Sequence, residues 1–331
     1  MAASTASVLV HWGERLFYPD NRIVKADPPP RLHGLLSVRA AAVRRRIAAV
    51  VSRQAPQAIV RVTGGGRGMS AIASHLRYIG KNGRLPMEDD RGVSRDGLEA
   101  VRDIVDQWRH AGRFIGNVEP QREALNLLLS MPAGTDPAVV AEAAREFGRL
   151  ELVGHRWVMV LHRHQANPHV HLCVKLRSVD GDRLRHGRAD LRRWRETFAE
   201  RLRAHGLDAE ATHPAVRGQT RGGEVLWRLK AREVGRLRQD TQPPPSAASL
   251  RRCTEAFQCW AHLWRALRES DRSDDRQLAG QVGDFLVRTP FMNEVLKRYP
   301  EQFQDVRRYL APQPQPERQV VRDRPGPELT R

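Results

Sequence analysis

The sequence predicts an α/β fold of the α+β type: a central antiparallel five-stranded sheet with helices over one face, histidines on the other, and a helical extension at the C-terminal end. Three observations lead there. Over residues 156–176 two apolar runs of strand length flank a turn, and the second alternates between apolar and polar residues. Two further runs, 57–63 and 124–131, are closed by glycine or proline. Between these strands lie stretches whose apolar residues recur at helical spacing.

Residues 1–55 are basic and broken by Pro28, Pro29 and Pro30, and 35–51 form a helical run that contains Arg44, Arg45 and Arg46. That run is either a solvated helix face or an arm that touches a polyanion. Residues 57–63 read as a strand. Gly64, Gly65, Gly66, Arg67 and Gly68 follow and open a helix at Met69 or Ser70. Backbone amides at such a turn can cradle phosphate. No Lys-Ser or Lys-Thr pair follows the last glycine, so a plain connector fits equally well. The helix ends at Gly80, before a basic turn with Lys81 and Arg84. Residues 96–111 place Leu98, Val101, Ile104, Val105 and Trp108 on one side of a helix. The strand at 124–131 stops at Pro132. Asp136 is then an N-cap with Pro137 at the first helical position, ahead of a stripe of Val139, Val140, Ala143, Ala144 and Phe147.

The next two strands carry the candidate chemistry. Residues 156–162 are a buried strand ending in His162, and Asn167 and Pro168 make the turn. On the returning strand Val170, Leu172, Val174 and Leu176 share one face, and His169, His171, Cys173 and Lys175 share the other. A hairpin brings His162 back beside His169 and His171. Three neutral imidazoles converging from adjacent strands, with positions left open for substrate, make a divalent-metal site. Chance clustering competes, because the chain holds 13 histidines. The strand alternation behind these three favours the metal.

After a turn at 179–183, Leu191, Trp194, Phe198 and Leu202 mark a helix buried along one stripe, with Asp190 as a cap and His205 and Gly206 at its end. The region from Arg183 to Arg238 carries about twice as many basic as acidic residues. It is either a solvated face or a track for phosphates. A charged helix at 224–239 and a Pro-rich linker at 241–246 lead to two helical patterns within 248–309. Residues 311–331 have the composition of a disordered tail.

A net charge of +18, supplied almost wholly by arginine, points to a polyanionic partner, nucleic acid above all. The three cysteines, Cys173, Cys253 and Cys259, show neither CxxC spacing nor an even-numbered framework, which fits a reducing cytoplasm. No apolar run reaches bilayer length and no secretory leader pattern opens the chain, so a cytoplasmic protein without membrane insertion is expected.

The pattern of His162, His169 and His171, with Pro168 just before the pair, resembles the third motif of the conjugative relaxases, or mobilization nucleases. These are histidine–hydrophobe–histidine endonucleases, and the likeness is to their single-tyrosine, MobA-like branch. The helix ending at Tyr78 and Gly80, the basic turn and the acidic stretch to Gly92 resemble their first motif. A leucine strand ending Ser130-Met131-Pro132, a helix and then the hairpin repeat the order of their core, and Arg217-Gly218 resembles a pair that follows the last core helix. The resemblance covers roughly residues 57–220. It implies a strand-specific nick and rejoining at a plasmid or integrative-element transfer origin, with Tyr78 as nucleophile and a covalent 5′-phosphotyrosine. The metal would be Mg²⁺ or Mn²⁺, with Zn²⁺, Ni²⁺ or Co²⁺ also suited to three imidazoles. Arg67, Lys81, Arg84, Lys175, Arg192 and Arg217 would contact DNA. The partners implied are single-stranded DNA at the origin, an accessory DNA-binding protein and a type IV secretion coupling protein. The expected organisation is a basic arm at 1–55, the nuclease domain at 56–225, a helix and linker at 226–245, a helical appendage at 246–310 and the tail.

Two positions depart from that pattern. His164 stands where an aspartate is common, and Lys175 where an asparagine is common. Imidazole can take a proton, which makes His164 a candidate catalytic base, but it cannot supply a carboxylate's charge beside a metal-bound histidine. Two alternatives stay open: a relaxase-fold protein that only binds origin single-stranded DNA, and a zinc-stabilised structural or RNA-binding protein.

Overall fold

The computed structural model describes residues 4–17, 35–110, 113–163, 167–220, 244–299 and 301. At its centre is a mixed α/β arrangement on one antiparallel sheet: β1 Ile59–Gly64, β2 Met87–Asp89, β3 Ser94–Arg95, β4 Ala124–Ser130, β5 Trp157–His162 and β6 His169–Lys175. The strand order is β1-β4-β6-β5-β2-β3. The predicted hairpin is β5–β6, and its register pairs His162 with His169 and Val160 with His171. On the other side of β6, Ser130 pairs with His169 and Leu128 with His171.

Among the described residues six strands stand where five were expected. The short pair β2–β3 escaped notice because two or three residues cannot show a period of two. Asp89 builds the turn between them, its Oδ1 accepting from the N–H groups of Arg91 and Val93 at 3.0 Å each. β2 then covers the outer edge of β5, which would otherwise offer unpaired backbone groups.

One face of the sheet is covered as expected. Leu125, Leu127, Leu129, Val170, Leu172 and Val174 are buried under α5 (Pro137–Glu151) and α6 (Arg188–Ala204). Phe147 and Trp194 meet edge to face at 6.2 Å between these helices. Each such buried side chain contributes roughly 1.5–3 kcal/mol. Asp136 caps α5 by accepting from the Ala138 N–H at 2.8 Å, and Asp190 accepts from the Gly187 N–H at 3.0 Å at the start of α6.

The histidine face is covered too, which corrects the expectation of helices on one side only. Helices α3 (Met69–Ile79) and α4 (Gly97–His110) bury Met69, Ile72, Leu76, Ile79, Val101, Ile104 and Trp108 against Val158, Val160 and Cys173. The reason lies in β5: Val158 and Val160 on this face are as apolar as Trp157 and Met159 on the other, so both faces need a cover. The glycine turn before α3 serves close packing. Gly68 has φ +89°, and a Cβ there would lie 2.5 Å from the Asn117 carbonyl oxygen. The first two amides of α3, Met69 and Ser70, donate to the carbonyls of Gly116 and Asn117 at 2.8 and 3.1 Å. These donors are spent on the loop, which supports the connector reading of the turn.

The remaining helices form a third cluster. These are α1 (Thr5–Phe17), α2 (Leu36–Val51), α7 (Ala247–Arg268), α8 (Ser273–Val287) and α9 (Pro290–Arg298). They bury Leu9, Leu16, Val43, Ile47, Trp260, Leu263 and Val282 together. Gly13 lets α1 approach α2, since a Cβ would sit 2.6 Å from Val43 Cγ1. Within 1–55, then, both described helices belong to this cluster. The two helical patterns expected in 248–309 become three helices because Pro290 starts a new one, capped by Thr289 Oγ1 accepting from the Met292 N–H. No described helix is long and apolar enough to cross a membrane. His164, the tail from 311 and the expected helix and linker as far as 243 lie outside the described residues.

Candidate metal centre

The three histidines converge. One ligand atom from each of His162, His169 and His171 lies within 4.8 Å of the others. Ring centroids are separated by 5.0 Å for His162 and His169, 4.6 Å for His162 and His171, and 5.1 Å for His169 and His171. His162 and His169 are buried, and His171 is half-buried. Hydrogen bonds set their tautomers. His162 Nε2 donates to the Ile79 carbonyl at 2.7 Å, and His169 Nδ1 donates to the Asn167 carbonyl at 2.9 Å. A carbonyl only accepts, so each bonded nitrogen carries the proton and the other nitrogen keeps a lone pair for a cation.

His171 supplies the test of fit. Its Nδ1 is buried with no hydrogen-bond partner among the described residues. Burial, then the neighbouring rings of His162, His169 and His75, push its pKa down to about 3. A ring so placed is neutral at physiological pH, the form that ligates a metal. The donor set therefore fits a divalent cation with nitrogen ligands and open positions.

Helix α3 closes over the cluster. It touches the site at two points: His75, whose ring lies 6.5 Å from that of His171, and the Ile79 carbonyl that holds His162. Tyr78 lies on the same turn as Ile79, and its side chain is 59% exposed. His75 was not singled out in the sequence. Its signal was present all the same, since it precedes Ile79 by four residues and so shares a helix face with a side chain that must pack on the sheet.

The expected DNA contacts divide. Arg67 at the start of α3, and Lys81 and Arg84 in the turn beyond Tyr78, are exposed. The other three are not presented to solvent in the same way. Lys175 is 5% exposed, and its Nζ donates to the Trp108 carbonyl at 3.0 Å, in the last turn of α4. Burial lowers its pKa. Arg192 is 7% exposed on α6. Arg217 donates to Thr212 Oγ1 at 3.0 Å and to the Ala55 carbonyl, tying the segment after α6 to the start of β1. For Lys175, Arg192 and Arg217 the fold takes the cation inward, because each sits where secondary-structure elements meet.

Residues 78–207 match the family described as relaxase, MobA/VirD2-like, nuclease domain, a span that opens on Tyr78 and contains all three histidines. The chain carries a MobA/VirD2-like relaxase nuclease domain. Relatives of this relaxase domain include the T-DNA border endonuclease VirD2 of Rhizobium radiobacter, 26% identical over 186 residues, 49% of this chain and 43% of that protein. The T-DNA border endonuclease VirD2 of Agrobacterium fabrum is 24% identical over 185 residues, 50% of this chain and 41% of that protein. The match thus spans less than half the length of these relatives. β1 and most of α3 precede the matched span, yet they complete the sheet and the cover of the site.

Proposed function

We propose that this protein nicks one strand of DNA at a plasmid or integrative-element transfer origin and can rejoin it. One observation supports the reading: His162 of the imidazole cluster is bonded to the carbonyl of Ile79, the residue after Tyr78, which holds helix α3 against the hairpin. The likeness of the relaxase domain to T-DNA border endonucleases supports DNA as the substrate.

His162, His169 and His171 would hold a divalent cation, Mg²⁺ or Mn²⁺ first, with Zn²⁺, Ni²⁺ or Co²⁺ suited to three nitrogens. Such a cation supplies charge neutralisation and Lewis-acid polarisation at a phosphodiester. The phenolic oxygen of Tyr78 attacks phosphorus and the bond from phosphorus to the 3′-oxygen breaks. The 3′-oxygen takes up a proton, leaving the 5′-phosphate esterified to tyrosine. His164 is assigned as the group that receives the phenolic proton. One phosphoester bond replaces another, so attack by the 3′-hydroxyl reverses the step and rejoins the strand. Arg67, Lys81 and Arg84, exposed around α3, contact backbone phosphates. The proposed organisation joins a nuclease unit, from 56 to about 225, to a helical unit built by α1, α2 and α7–α9. Single-stranded origin DNA, an accessory DNA-binding protein, a type IV coupling protein and a cytoplasmic site of action follow from this reading.

The test is relaxation of a supercoiled plasmid carrying a candidate origin, with Mg²⁺ or Mn²⁺, by wild type and Tyr78→Phe. Wild type should nick and form a covalent adduct. Tyr78→Phe should do neither while binding the same DNA. Equal nicking by both would remove Tyr78 from the mechanism. Binding without nicking by wild type would favour the reading in which His164 in place of aspartate leaves a DNA-binding protein.

A further inference from the structure

On the side of the sheet away from the histidines, α1, α6, α7 and the 3-10 turn Pro214–Arg217 enclose a cleft of about 360 Å³. Among the described residues its charged lining is Arg15, Arg188, Arg195 and Arg252 against one carboxylate, that of Glu255, with His213 beside them. These residues come from four separate parts of the chain, so only the fold brings the guanidinium groups together.

Arginines at other contacts between elements meet carboxylates: Arg44 with Asp275, Arg46 with Glu196, Arg193 with Glu151. Among the described residues, three of the cleft's arginines have no such carboxylate. Arg15, Arg188 and Arg252 are exposed, and none of them forms an ion pair with a described residue. Arg15 instead rests over the Trp12 ring at 4.8 Å. His213 Nδ1 accepts from the Ala215 N–H at 3.2 Å, so in the neutral ring its other nitrogen is a donor. Like charges gathered in a concave site repel one another, and a bound anion relieves that repulsion. Guanidinium forks match phosphate oxygens two at a time.

We propose that this cleft is a second nucleic-acid contact, holding backbone phosphates of DNA that flanks the segment at the histidine centre. The phosphate chemistry stands on the cleft alone. The choice of DNA rests on the nicking reading above.

The experiment compares the full chain with a triple variant, Arg15→Gln, Arg188→Gln and Arg252→Gln, and with Arg251→Gln, an exposed position on α7 outside the lining. Fluorescence anisotropy follows binding to a labelled duplex of about 30 base pairs across a salt series. The triple variant should bind more weakly, with the slope of log affinity against log salt shallower by about 2–3. Its melting temperature and its titration with Mn²⁺ should match wild type, and Arg251→Gln should change the slope by less than about 1. An unchanged slope would overturn the cleft, as would a matching loss in Arg251→Gln. Competition by polyglutamate as strong as by DNA would overturn the phosphate assignment in favour of an acidic protein. Failure of wild type to nick, with the slope difference intact, would sink the nicking reading and leave the cleft standing.

Discussion

The imidazoles of the cluster fall into two kinds, set by the second nitrogen. His162 and His169 are locked by backbone carbonyls, while the Nδ1 of His171 has no protein partner among the described residues. Replacing His171 by Ala removes a candidate ligand without breaking a hydrogen bond. Its Mn²⁺ or Zn²⁺ affinity, read by calorimetry, should fall by more than the roughly 10–100-fold that loss of a supporting hydrogen bond costs. Folding stability should change little. Chelation of the wild type should abolish nicking, and added Mn²⁺ should restore it. Retained affinity in His171→Ala would move the cation elsewhere. At this scale much was legible, because alternation along β6 dictates that His169 and His171 share a face and the turn returns His162 beside them. His75 was not, since its place depends on how α3 lies across the sheet. The inward turn of Lys175 was likewise invisible, because it depends on the end of α4, more than sixty residues earlier, arriving over the strand.

The element that matters most is α3, because it joins the candidate nucleophile to the candidate ligands. Its start is held by the loop at 115–118, where Gly68 leaves no room for a side chain. Gly68→Ala combines a left-handed backbone with a backbone clash. It should destabilise the protein by about 1–3 kcal/mol or more, read as a lower urea midpoint. Nicking should fall further than unfolding alone accounts for, because the helix shifts against His162. A variant with unchanged midpoint and activity would show that the loop does not position the helix. The long helices and central strands were readable from periodicity and caps, as Asp136 illustrates. The short pair β2–β3 was not, for it is held by the Asp89 side chain and the edge of β5 and not by any pattern of its own.

Across the whole molecule, the helical unit is pinned by an ion pair between the half-buried Arg44 and the buried Asp275, 231 residues apart. Arg44 donates to both oxygens of Asp275 at 2.7 and 2.8 Å, and Ser270 Oγ adds a third bond at 2.7 Å. Burial raises the carboxyl's pKa. Hydrogen bonds from Arg44 and Ser270 and the charge of Arg44 outweigh it and hold the group below the usual range. A lowered native pKa gives stability that is present above the unfolded carboxylate value, about 3.9, and is lost as pH falls through the lower native value. Asp275→Asn should therefore melt at a lower temperature than wild type at neutral pH, by the equivalent of roughly 3–5 kcal/mol at most. The two melting curves should begin to approach one another below about pH 4 and meet only once the pH has fallen past the lower native value. A constant offset down to the lowest pH would exclude this pair as the source.

The sequence by itself determined the alternation of β6, the hairpin that gathers three imidazoles and the helical stripes that cover one side of the sheet. These are local properties, written in spacings of two and 3.6 residues. Only the tertiary structure decided that α3 lies against the imidazoles, that Lys175 and Arg217 turn inward, and that four arginines from distant segments share one cleft. Those outcomes rest on contacts between residues far apart in the chain, and no periodicity records which of two distant surfaces will meet.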